Sequence, residues 1–240
     1  MRSCALFFSL LACALLSSNC TQIGPPGGGP DRVLNWRPSP VPPPQPGSLS
    51  TSTLVRKINL KPDMVAKGTY GRRVVRPMNP RYITIHSTQN FSADASKHAL
   101  ALKRGALRAP KRKGFNRIGF LIWHFTVDSR VAIQHMPCNE QGEHADFNGP
   151  GNNYSIGIEM CENRGGNRSA TIERAAMLTA YLMKRYNIPL RNVVPHYHWP
   201  RHGCSPEHKN CPWFLMDNGR PGAKWRWFQS KVNYYYRSLQ

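Results

Sequence analysis

Three stretches, far apart in the chain, end in side chains of the kind that bind metals. Tyr82-Ile-Thr-Ile ends at His86, Val193-Val-Pro ends at His196, and a third stretch closes on Lys209-Asn-Cys211-Pro212. A fourth run, Ser155-Ile-Gly-Ile, ends in the same way at Glu159. The runs read as strands, so this pattern restricts the chain to a fold that carries ligands at strand ends. Two imidazoles, one thiolate and a nearby carboxylate are what a hydrolytic zinc site needs. Zinc takes three protein ligands from His, Cys or carboxylate and keeps a fourth position for water. It lowers the pKa of that water to about 7, and a glutamate can relay the proton.

None of these residues says much alone. Nine histidines in 240 residues is ordinary usage, and a lone His86 is more often a core or surface residue than a ligand. Fourteen residues separate His196 from Cys211 across a loop rich in Pro, His and Gly, looser spacing than a zinc finger has. Pro212 after the thiol and Lys209 before it add weight, because acid, base and electrophile candidates then come together.

The remaining pattern is that of one α/β domain. Arg81–His86, Gly119–Val127, Val131–His135 and Ser155–Cys161 read as strands, with a turn at Asp128–Arg130. Ala93–Lys103 reads as a helix, with Ser92 as N-cap and Gly105 as stop. In Thr171–Tyr186, Ile172, Ala175, Ala176, Thr179, Leu182, Met183 and Tyr186 share one helical face, and Asn187-Ile-Pro ends the run. Trp225–Tyr236 reads as a last helix whose aromatic residues pack back on the domain. The expected architecture is a central, mostly mixed sheet flanked by helices.

Five segments, in order, resemble the N-acetylmuramoyl-L-alanine amidases, the zinc amidase superfamily of phage endolysins and peptidoglycan recognition proteins. They are Tyr82-Ile-Thr-Ile-His-Ser-Thr88, Trp123-His-Phe-Thr-Val-Asp128, Gly149-Pro-Gly-Asn-Asn-Tyr-Ser-Ile-Gly-Ile-Glu-Met-Cys-Glu-Asn163, Asn192-Val-Val-Pro-His-Tyr-His198 and His208-Lys-Asn-Cys-Pro212. The resemblance runs from about Pro80 to Val232. It implies that His86, His196 and Cys211 bind zinc and that Glu159 is general base toward the attacking water, then acid toward the leaving amine. Lys209 stands where the family often places a cation for the tetrahedral oxyanion. The implied reaction is hydrolysis of the amide between N-acetylmuramic acid and L-alanine in peptidoglycan. The alternative is a peptidoglycan-binding module of the same fold without turnover, against which the joint presence of Cys211, Glu159 and Lys209 argues. Some relatives carry a tyrosine where this chain has Trp123, which has no phenolic proton to give and is expected to pack or contact substrate.

Other residues have plainer readings. His124 is expected to be structural or substrate-facing, and His144 to touch substrate or lie on the surface. His198, His202 and His208 are alternative ligands that fit the strand-end position less well than His196. Asp128 and Glu162 are expected on solvated turns. Cys138, Cys161 and Cys204 allow at most one disulfide among themselves. A cysteine peptidase built on Cys161 would leave His86, His196 and Cys211 unexplained.

Met1-Arg-Ser followed by the apolar run Cys4–Leu16 suits a signal peptide over residues 1–20, and hence export to the cell envelope or secretion. Leu10-Leu-Ala-Cys13 resembles a lipoprotein cleavage box, Cys20 is a second candidate, and plain cleavage near Ser18 is a third reading. Residues 21–50 hold nine Pro and five Gly and are expected to form an extended tether. Residues 51–79 are expected to be a basic N-terminal arm, leaving 80–240 as the amidase domain. The formal charge is +21, and residues 51–120 alone hold sixteen Lys/Arg against two Asp. The basic run 103–114 is therefore a candidate docking surface for anionic membrane or wall polymers. No nucleic acid is expected, because the run carries no known reading motif and the chain reads as exported.

Overall fold

The computed structural model describes residues 38–109 and 117–240. Two segments with period-2 alternation set its frame. Tyr82–Ser87 (β2) and Ser155–Met160 (β5) pair in parallel along their whole length, which places His86 beside Glu159. Side chains alternate across a strand. Ile83, Ile85, Ile156 and Ile158 therefore enter the main core, while Thr84, His86, Gly157 and Glu159 occupy the opposite face. Leu60–Pro62 (β1), Phe125–Val127 (β3), Ala132–Gln134 (β4) and Val193–Pro195 (β6) complete a six-stranded sheet in the order β1-β4-β3-β5-β2-β6. β2, β3, β5 and β6 are mutually parallel, and β4 turns back antiparallel to β3 with β1 alongside it. The carboxyl ends of the four parallel strands thus share one edge, where open α/β sheets form their ligand crevice.

Three helices cover the isoleucine face: α1 (Thr51–Ile58), α4 (Arg168–Tyr186) and α5 (Ala223–Ser238). α4 starts where the Asn167 side chain accepts from the Ala170 N–H and stops where Asn187 adopts the left-handed conformation. Its predicted stripe from Ile172 to Met183 is buried, and the packing of Trp225, Phe228 and Val232 from α5 is as expected. On the other face lie α2 (Ala95–Lys103), against β3 and β4, and the short α3 (Pro150–Tyr154), which feeds β5.

Four expectations need correction. α2 is capped by Asp94, whose carboxylate accepts from the Lys97 N–H, while the Ser92 hydroxyl bonds Asn90 instead. Only the end of 119–127 joins the sheet, because Ile122 pairs with Glu143 on a loop rather than with a strand. Residues 51–62 are no arm: Leu54 and Ile58, one helical turn apart, are fully buried against α4, and β1 forms the edge of the sheet. The Arg174 guanidinium holds that junction by donating to the carbonyls of Lys57 and Ile58. Finally, the end of the expected tether lies along the domain. Leu49 pairs with Leu239, and the Trp227 indole donates to the Ser39 carbonyl. Residues 1–37, which include the expected leader, and 110–116, which include much of the basic run, lie outside the described residues. Among the described residues no helix is long and apolar enough to cross a membrane.

Candidate metal centre

His86 sits at the end of β2 and His196 immediately after β6, so parallel pairing of β2 with β6 brings them together. Cys211 arrives from the 197–211 loop, which is tied down by the Tyr197 N–H donating to the Cys211 carbonyl. One ligand atom from each of His86, His196 and Cys211 lies within 4.8 Å of the other two, and all three residues are buried. The three candidate ligands read from the sequence are therefore together.

Their outer hydrogen bonds decide which ring nitrogens are bare. His196 Nε2 lies 2.9 Å from the Ala145 carbonyl oxygen, an acceptor only, so that nitrogen carries the proton. His144 Nε2 donates likewise to the Ser155 carbonyl at 3.3 Å, which leaves His144 Nδ1 as an acceptor. His86 Nε2, 3.0 Å away, donates to it. Both ligand rings then turn unprotonated Nδ1 atoms toward each other at 2.9 Å. Burial, together with the facing cation Lys209 and the neighbouring rings, holds His86 and His196 well below the usual imidazole range, so no proton relieves the contact near neutrality. Two lone pairs and a sulfur facing a common point form a seat for a cation, and this donor set fits zinc. Burial pushes the Cys211 thiol up to about 12 against the pull of Lys209. Metal uptake would therefore release its proton.

Glu159 stands beside this cage, with Oε1 3.8 Å from His86 Nδ1 and Oε2 buried without a hydrogen-bond partner. Burial pushes its carboxyl up to about 8, Lys209 pulls the other way, and Glu162 adds to the rise. Lys209 is half-buried, and its charge bears on Glu159 and on both candidate histidine ligands.

Comparison with known proteins agrees with this geometry. Residues 76–214 match the family described as N-acetylmuramoyl-L-alanine amidase. The chain belongs to this amidase family. It is 40% identical over 163 residues to the N-acetylmuramoyl-L-alanine amidase XlyA of Bacillus subtilis (strain 168), covering 67% of this chain and 48% of XlyA. With CwlH of the same organism it shares 41% over 145 residues, 59% of this chain and 50% of CwlH. The chain thus spans about half the length of these curated relatives. Among solved structures, a mutant endolysin from Bacillus subtilis superposes with a TM-score of 0.60 at 38% identity, covering 72% of this chain and 98% of that one. The catalytic domain of XlyA gives 0.58 at 39% identity, with 72% and 99% covered. The mixed six-stranded sheet with flanking helices is therefore the amidase fold.

Several side residues of this amidase domain differ from expectation. His144 does not lie on the surface; it is largely buried behind His86. Asp128 and Glu162 are buried rather than solvated. Asp128 accepts from the N–H groups of Ala95, Arg130 and Val131, and Glu162 from the Gln89 N–H and the Trp213 indole. His124 is structural, accepting from the Gly157 N–H and donating to the Glu140 carbonyl. Trp123 packs, with its indole donating to Thr126. His208 bonds the Tyr197 carbonyl, and His202 pairs with Glu207 at the surface, so neither enters the cage. Cys138 and Cys161 are both free and buried, so the cysteine trio forms no disulfide within itself. Burial pushes the Cys161 thiol far up, which removes it as a nucleophile.

Proposed function

We propose that this chain is a zinc-dependent hydrolase of the amide between the N-acetylmuramic acid lactyl group and the L-alanine of the stem peptide, with His86, His196 and Cys211 as ligands. The observation that carries the reading is the pair of bare Nδ1 atoms facing the Cys211 sulfur, with the unpartnered Glu159 oxygen beside them. Zinc at this place would supply Lewis-acid polarisation of the scissile carbonyl and of water. Glu159 takes a proton from the attacking water at its free oxygen and returns it to the nitrogen of the leaving L-alanine. Burial favours the protonated carboxyl that returns the proton as an acid, while Lys209 and a bound cation would favour the carboxylate that takes it up as a base. The Lys209 ammonium donates to the oxygen that becomes negative as the carbonyl turns tetrahedral, a charge the ground state does not carry.

The basic composition belongs to the same reading. A chain of net charge +21, with its densest run at 103–114, would be drawn to anionic wall polymers or membrane around its substrate. Export through the leader at 1–20 would bring it there. The test is mass spectrometry of the products after zinc-loaded protein meets purified peptidoglycan. Stem peptides with a free L-alanine amino terminus, beside peptide-free glycan, are the expected result. Unchanged polymer that retains the protein would replace the enzyme by a binding module.

A further inference from the structure

The metal cage has an outer wall, and two consecutive residues make it. His144 Nδ1 accepts from His86 Nε2, and the Ala145 carbonyl accepts from His196 Nε2. The backbone N–H groups of these same two residues both donate to one atom, Asn152 Oδ1, at 2.9 and 2.8 Å. Asn152 is itself fixed from the other end. Its amide nitrogen donates to the Phe147 carbonyl and to Glu143 Oε2, and its backbone N–H to Asp146. Glu143 is in turn held by Arg117 and Arg76.

The His144 ring lies in a slot that only glycine leaves open. A Cβ on Gly142 would fall 2.5 Å from the ring, and one on Gly157 would fall 2.9 Å from it. The glycine inside the β5 run Ser155-Ile-Gly-Ile thus marks a close approach by another group, the usual meaning of a glycine within a strand. The slot fixes where the ring stands. The Ser155 carbonyl fixes which nitrogen carries its proton.

We propose that His144 and Asn152 are positioning residues of the cage: His144 holds the His86 proton on Nε2 so that Nδ1 is bare, and Asn152 clamps the wall that orients both ligand rings. The proposal rests on the zinc reading above. Each acts through a ligand ring, and neither is a member of the ligand cluster itself. Outer partners of this kind orient the ring, fix its tautomer and raise its basicity, and their loss typically costs about 10- to 100-fold in metal affinity.

The experiment measures zinc affinity of the full chain by competition with a chromophoric chelator. It also reads imidazole 15N shifts of the metal-free chain. In the wild type His86 and His196 are expected to carry their protons on Nε2. His144→Leu should weaken zinc by about 10- to 100-fold and let the His86 proton distribute between both nitrogens. His144→Asn, whose amide oxygen can stand near the place of Nδ1, should restore most of the affinity. Asn152→Ala should weaken zinc and disturb both ligand rings. If His144→Leu does not fold, the wild-type shifts and His144→Asn still decide. A wild-type His86 protonated on Nδ1, or a folded His144→Leu that binds zinc as tightly as wild type, overturns the proposal and leaves the zinc reading standing. A wild-type chain that takes up no zinc overturns both.

Discussion

At the scale of single residues, the roles of the cage and of Glu159 separate cleanly. Glu159 offers the cage no short contact, so Glu159→Gln should keep its metal, while its oxygen loses the ability to take a proton. Turnover on peptidoglycan is expected to fall by about 10²- to 10⁴-fold with zinc content unchanged, measured as released stem peptide against metal per chain. Cys211→Ser should lose metal and turnover together, because the thiol is one of the three clustered candidate ligands; full zinc occupancy in that variant would refute the ligand set. Gly157→Ala presses a methyl into the His144 ring and should lower unfolding free energy by about 1–3 kcal/mol in urea titrations. His86 and His196 stood out because each ends or follows a strand-like run, and with Cys211 they do come together. His144, Asp128 and Glu162 did not stand out, since a polar residue between patterned segments reads as solvated. What buries Glu162 is the Gln89 N–H and the Trp213 indole, both remote in sequence. The one local signal for His144 was Gly157, an anomaly inside an apolar strand.

At the scale of elements, legibility followed length. α4 shows its apolar stripe over several turns, and β2 and β5 alternate over their full span, so each was visible before folding was considered. α1 offers only Leu54 and Ile58 one turn apart in a basic segment, and β1 spans three residues. Such short patterns do not stand out from chance, and their structure comes from tertiary packing rather than propensity. Leu54 is completely buried in the main core with α4. Leu54→Ala should therefore lower unfolding free energy by about 2–5 kcal/mol, read from the urea midpoint. A change within about 0.5 kcal/mol, the range of surface substitutions, would mean that α1 is an appendage. The same packing sets the usable length of the domain. Cutting the chain at Pro80 would strip α1 from α4 and β1 from β4, exposing the apolar stripe of one and the edge of the other.

At the scale of the whole molecule, charge and burial together decide how the protein responds to acid. A chain of net charge +21 already repels itself, and every histidine that gains a proton adds to that repulsion. Among the buried histidines outside the metal cage, two show the effect plainly. His124 is pushed down to about 4 by burial, its bond to the Glu140 carbonyl opposing; His135 is pushed down to about 4 by burial, with Asp63 opposing and His98 and His124 adding to the fall. Unfolded, each would bind its proton near 6.5. As pH falls, the unfolded chain thus takes up protons before the folded one. The contribution to stability is complete above pH 6.5 and drains away between 6.5 and about 4, amounting to about 3 kcal/mol for each ring. Glu159, pushed up to about 8, and Glu143, Asp146 and Glu162, also raised by burial, carry the opposite sign, favouring the folded state most where they are protonated. Their stabilisation returns as pH falls through their raised pKa values, so it opposes the histidines inside the same window. His86, His98, His144 and His196 are lowered by burial as well, so the depressed rings outnumber the raised carboxyls, and the urea midpoint of the metal-free chain should fall from pH 7 to pH 4.5. His135→Gln, which removes one titrating ring, should make that fall shallower even if it lowers the midpoint at pH 7. A fall of unchanged slope in His135→Gln would mean that water reaches that ring in the folded state.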